Sequence, residues 1–144
     1  MPTDELRAGR VDWLARALVL AASLLLVAAT FVPTNGGGRA GYPYAIYDRS
    51  VQRELELFAA EPLVVALLAA AVAIVVVPRA RHVGAGALLA FGLQTSVLFL
   101  AYFGGAVFGN PLYNSFRPGS VLGLLGAGLL IAAGGLLLLG SGRR

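Results

Sequence analysis

The sequence predicts an all-α integral membrane protein: a four-transmembrane-helix antiparallel bundle with a short interfacial helix in its first outer loop. Three observations carry that expectation. Strongly apolar stretches run over about residues 13–32, 62–77, 83–108 and 119–139 and fill most of the 144 residues. A helix needs roughly 20 apolar residues to cross a hydrocarbon core about 30 Å thick, and only the second stretch is near the lower limit. Charged residues make up 12% of the chain and hydrophobic ones 58%, against about 25% charged in soluble domains. A water-soluble fold of that composition would expose apolar patches large enough to aggregate. The length allows one membrane domain, residues 1–144, with an outer loop at 33–61, an inner loop at 78–82 and a second outer loop at 109–118.

The first span opens with Trp13 and Arg16. The arginine stem can lie along the helix while its guanidinium reaches the headgroups, and tryptophan suits the same level. Arg7, Arg10 and Arg16 ahead of an apolar run ending at Val27-Ala28-Ala29 also fit a cleaved signal peptide. The run continues through Phe31 and Val32 and three more spans follow, which favours a retained helix.

The first outer loop is the only sizeable extramembrane segment. Gly36-Gly37-Gly38 leads into Tyr42-Pro43-Tyr44-Ala45-Ile46-Tyr47, which reads as extended chain. Ser50 is placed to cap a short helix to about Ala60, with Val51, Leu55 and Phe58 on one face. Such a helix would lie on the bilayer surface or cover the outer ends of the bundle. Pro62 suits the first turn of the second span, and Pro78 ends that span because it lacks the N–H donor and clashes with the preceding turn. Arg79-Ala80-Arg81-His82 is long enough only to turn, so spans two and three are expected to be antiparallel neighbours.

Span three carries the one distinctly polar cluster deep in the membrane, Gln94-Thr95-Ser96. A glutamine buried there would hydrogen-bond a neighbouring helix, a contact worth about 0.6 kcal/mol in a membrane; the competing role is to line a path for a ligand. Small residues recur at four-residue spacing in Gly86 and Ala90, Gly92 and Ser96, and Ala101, Gly105 and Gly109. Asn110-Pro111 and Pro118-Gly119 are turn signals, with Pro118 placed to open span four. That span repeats the pattern in Gly119, Gly123 and Ala127, then Gly128 and Ala132. Such ridges let helix backbones approach closely. Internal packing is the expected use, with Gly119, Gly123, Gly105 and Gly109 as candidates for contact with a protein partner or a second copy.

Arginine placement sets the orientation. With the N-terminus inside, the inner segments hold seven arginines and three acidic residues, and the outer segments four of each. Both termini are therefore expected in the cytoplasm of a cell whose plasma membrane the chain crosses several times. The absence of lysine, with abundant Ala, Gly, Leu and Val, suggests a GC-rich, bacterial source. The basic residues lie scattered at helix ends, which fits anionic lipid headgroups and does not fit nucleic acid.

Chemistry is bounded mainly by what the chain lacks. With no cysteine, thiolate metal sites, disulfides and thiol redox cycles are excluded within this sequence. No Asp, Glu, Lys or His lies near mid-span, and such groups are what proton-coupled pumps use. His82 stands alone in a turn, too few for haem ligation, and Gly140-Ser141-Gly142 reads as a chain end rather than a nucleophile motif. No cofactor, metal site or catalytic residue is expected. Eleven of the thirteen aromatics lie toward the outer side. That distribution is an interfacial belt or an outer contact surface of Tyr42, Tyr44, Tyr47, Arg49, Arg53, Tyr113 and Arg117. The layout is similar to that of tetraspan scaffold proteins such as claudins in topology alone; their outer cysteine pair and tryptophan-containing motif have no counterpart here. The expectation is a non-enzymatic scaffold or accessory subunit acting through helix packing and its first outer loop. The alternative is a lipid or solute carrier working as an oligomer, with Gln94 on its path and Arg117 at its mouth.

Overall fold

The computed structural model describes residues 2–31, 62–107 and 118–140, with side chains described for 9–31, 62–100 and 119–140. Among the described residues all regular structure is helical. The helices are α1 (Pro2–Phe31), α2 (Pro62–Val76), α3 (Arg81–Val107) and α4 (Pro118–Leu139). Three contain segments long and apolar enough to cross a membrane: Gly9–Phe31, Arg81–Leu100 and Gly119–Leu139. These are compatible with a membrane protein. The expected interfacial helix near 50–60 lies outside the described residues.

Two boundaries differ from the hydropathy reading. Helix α1 starts at Pro2 rather than near Trp13, because hydropathy marks where lipid begins and not where the helix does. Pro2 is tolerated in a first helical turn, and Asp4 and Glu5 follow where the helix dipole favours negative charge. Helix α3 takes in Arg81 and His82, so the connection after α2 is shorter than the expected loop.

That connection has an irregular lead-in. Residues Val72–Val76 form a π-turn in which the Val77 N–H donates to the Val72 carbonyl at 3.0 Å. Pro78 is the physical cause. Its ring would clash with the carbonyl four residues earlier in an ordinary α-turn, and widening the turn moves that carbonyl away. The carbonyls left over find other donors: Arg79 Nη1 donates to Val75 O at 3.0 Å, and the Ala80 N–H donates to Val76 O at 2.7 Å. An arginine next to the proline thus caps the helix the proline ends.

The buried faces share a three-then-four spacing. On α1 they are Ala15, Val19, Ala22, Leu26 and Ala29; on α3 they are Ala85, Leu88, Gly92, Thr95 and Phe99. On α4 Gly126, Leu130, Ala133 and Leu137 follow the same rhythm. This is the heptad seam of left-handed helix packing, which membrane bundles share with soluble coiled coils. Helix α4 packs along both α1 and α3. Helix α2 touches the same two, through Ser23 Oγ donating to Ala66 O at 3.0 Å and through Val77 against Gly84.

The seams are filled by pairing glycines with large side chains. The Phe99 ring occupies the space where Gly123 would carry a Cβ. A Cβ on Gly126 would stand 2.9 Å from Leu26 Cγ, one on Gly92 2.7 Å from Ile131 Cγ1, and one on Gly134 2.7 Å from Leu89 Cγ. Residue numbers rise along α1 and α3 as they fall along the facing α4, so α4 runs opposite to both. The exterior is apolar as well, with Leu24 63% and Val97 67% exposed. A surface of that kind suits lipid, not water.

Candidate functional site

All the residues that the sequence marks as an outer contact surface, namely Tyr42, Tyr44, Tyr47, Arg49, Arg53, Tyr113 and Arg117, lie outside the described residues, as does Gly109. Gly105 is within α3, at a position whose surroundings are not described. The remaining candidates, Gln94, Gly119 and Gly123, are placed.

Gly119 and Gly123 are both buried. Gly123 takes the Phe99 ring, so this candidate partner contact is used inside the chain. Outward-facing small residues do exist, on other ridges. A Cβ at Gly86 on α3, or at Gly128 or Gly135 on α4, would meet nothing within 4 Å.

The polar cluster of α3 divides between two sides of the helix. Thr95, on the seam, is 1% exposed, and its Oγ1 is buried without a hydrogen-bond partner. Gln94, one residue off the seam, is exposed. The expectation of a buried glutamine is therefore corrected: a step of about 100° per residue turns Gln94 away from α4 when Thr95 points toward it. Gln94 makes an interaction within the chain, but its side chain is not part of the α3–α4 seam. Ser23 is a buried polar group that bridges two helices, and Ser120 is buried near the start of α4.

One constellation was not foreseen. Arg81, the first residue of α3, pairs with Asp12 of α1 at 3.1 Å, Nη2 to Oδ1. The same Nη2 lies 2.7 Å from where a Cβ of Gly140 would be, so glycine at the end of α4 makes room for the guanidinium. The Arg81 side chain is 16% exposed and that of Asp12 39%. Arg81 Nη2 and Asp12 Oδ1 are not aligned for a hydrogen bond, so the contact is an ion pair more than a directed bond. A cation beside the last turn of α4 also suits the negative end of that helix dipole. Asp12 of α1, the start of α3 and the end of α4 thus meet. The signal was present as opposite charges at two helix ends assigned to one side of the membrane.

Arg10, Arg16, Arg79 and His82 are exposed around the same end, as is Trp13. Among the described residues no group of three His, Cys, Asp or Glu comes together. The described residues offer close helix contact, the Arg81–Asp12 ion pair and the buried hydroxyls of Ser23, Thr95 and Ser120. The chain matches no family model, no curated protein and no solved structure.

Proposed function

We propose that the chain is a four-span antiparallel bundle in the plasma membrane, with both termini cytoplasmic, and that it serves as a non-enzymatic scaffold or accessory subunit. The observation that carries this reading is the filling of the seams. Gly92, Gly123, Gly126 and Gly134 are each closed by a side chain of the facing helix. The interior is thereby given over to helix contact, and what the molecule offers others is its outside. In a bilayer such contacts rest on close packing and interhelical hydrogen bonds, since lipid tails are as apolar as leucine.

The meeting of Asp12, Arg81 and Gly140 at one end supports the up-and-down path, and the arginine excess there supports a cytoplasmic assignment. The remaining span, α2, is the shorter apolar helix Pro62–Val76. In this reading membrane lipids surround the bundle, and a protein partner or a second copy meets an outer ridge or the Tyr42, Tyr44, Tyr47, Arg49, Arg53 region of the first loop. A second reading, an oligomeric lipid or solute carrier, draws support from Gln94. Its outward position is where a path between copies would need a polar group.

The orientation is tested with single cysteines in a chain that has none. Gly38→Cys and Asn114→Cys should react with an impermeant maleimide in intact cells, and His82→Cys should not; the reverse pattern overturns the orientation. Function is tested by gentle purification from native membranes with mass spectrometry of what stays bound. The scaffold reading expects a stoichiometric protein partner or a second copy. Solute flux in vesicles carrying the pure protein, lost in Gln94→Leu, would replace it with the carrier reading.

A further inference from the structure

We infer that Arg16 of α1 and Arg79, just past the end of α2, form one site for the phosphate of an anionic phospholipid headgroup. The inference rests on the membrane reading and names one lipid around the bundle by its chemistry. Two contacts fix how α1 and α2 run past one another: Asp12 with Arg81, shortly after α2, and Ser23 Oγ with Ala66 O. Residue numbers rise along α1 as they fall along α2, so the two helices are antiparallel. Arg16 is seven residues before Ser23, about two turns, and so lies on the same α2-facing side of α1. Seven residues along α2 from Ala66 stands Ala73. The Arg79 Nη1 donates to the Val75 carbonyl, two residues or about 3 Å from that level. Two exposed arginines are thus held at one height on adjoining helices.

Charge and exposure decide what fits there. Among the described residues neither arginine meets a carboxylate, because Asp12, one turn from Arg16, is committed to Arg81. Asp4 and Glu5 stand about 16 Å or more further along the α1 axis. Arginine meets phosphate with a planar fork of donors. A zwitterionic headgroup would also bring a cation, for which the described residues hold no free carboxylate, so a net-negative headgroup fits better. One turn deeper, Leu20 of α1 and Val75 of α2 are exposed. They offer an apolar surface to acyl chains, which a free phosphate would leave uncovered. Trp13, exposed one turn from Arg16 on the other side, suits the headgroup level.

Trp13 is the single tryptophan of the chain and so reports on this site. The test is quenching of its fluorescence in phosphatidylcholine vesicles at low ionic strength, with a fixed fraction of brominated phosphatidylglycerol or of brominated phosphatidylcholine. The phosphatidylglycerol should quench more. Its relative association constant should fall about fivefold in Arg16→Gln, the factor for about 1 kcal/mol per arginine near a membrane surface. Arg79→Gln should act in the same direction, and Arg16→Lys should keep most of the preference. Arg10→Gln removes an equal charge from another side of α1 and should leave it nearly unchanged. Arg16 is exposed, so its replacement keeps the fold, which circular dichroism checks. Three results overturn the inference: equal quenching by the two lipids, equal losses in Arg10→Gln and Arg16→Gln, or loss of the preference on adding inorganic phosphate at matched ionic strength. The last would assign the site to free phosphate and the second to diffuse charge. The maleimide pattern depends on none of these, so the site can fail while the membrane reading stands; a chain that does not enter the vesicles fails both.

Discussion

Replacing Gly92 with alanine tests the seam packing most sharply, because the new methyl would meet backbone and not only a yielding side chain. Its Cβ would stand 2.7 Å from Ile131 Cγ1, 2.9 Å from Ala127 O and 3.0 Å from Ile131 N. Ordinary C···O contact is about 3.3–3.6 Å, so α3 and α4 must separate by about 0.5 Å at this level. Ile131 Cγ1 can rotate away; the Ala127 carbonyl is tied into α4 and cannot. Overpacking of this kind costs about 1–3 kcal/mol. Against it stands the better helix propensity of alanine, about 1 kcal/mol in water. Gly86→Ala supplies the reference, since it gains the same propensity and meets nothing within 4 Å. We expect Gly92→Ala to be less stable than Gly86→Ala by about 1–3 kcal/mol, read as the difference in unfolding free energy. The assay is reversible unfolding in mixed micelles titrated with sodium dodecyl sulfate, followed by circular dichroism. If Gly92→Ala proves as stable as Gly86→Ala, the α3–α4 seam is not closed as described and the argument from filled glycines fails.

Removing the Asp12–Arg81 ion pair should give unequal costs. Asp12→Asn loses a contact that is more than a third exposed and should cost about 1 kcal/mol or less. Arg81→Gln should cost more, because the guanidinium also lies against Gly140 and the end of α4; equal losses in the same titration would refute that second role. The buried hydroxyls of Ser23 and Thr95 should respond in opposite ways. Ser23→Ala removes the bond to Ala66 O and should lose about 0.6 kcal/mol, while Thr95→Val replaces an unbonded buried hydroxyl by a methyl and should be neutral or stabilising. A larger loss in Thr95→Val than in Ser23→Ala would mean that the threonine oxygen is bonded in the membrane.

The sequence located the long helices well and their orientation about their own axes poorly, and both results have one cause. In a bilayer the inner and outer faces of a helix are equally apolar, so hydropathy reports position along the chain and says little about phase. Gln94 and Thr95 were therefore read together, although adjacent residues must diverge by about 100°. The three-then-four spacing of Ala85, Leu88, Gly92, Thr95 and Phe99 could have separated them, since Gln94 falls off that line. Gly123 and Gly128 belong to the same four-residue pattern, and the sequence alone does not tell them apart. Only the presence of Phe99 opposite one of them decides between a filled notch and an open one. Pro78 announced the end of α2, but the π-turn before it depends on where the displaced carbonyls find donors, which no single residue type signals. The Asp12–Arg81 pair joins two helices far apart in sequence, and charge counting treats its members only as parts of one side's total.

The position of α4 in the chain has a consequence for how the molecule is made. The helix that touches both α1 and α3 along its length is the one that follows them in the sequence. During synthesis Phe99, Leu26 and Leu89 reach the membrane before the notches at Gly123, Gly126 and Gly134 that will receive them. Until then these side chains lack the α4 backbone they finally rest against, and Arg81 lacks the helix end beside it. The bundle therefore locks at a single late event, the arrival of a helix whose main contribution is the side chains it omits.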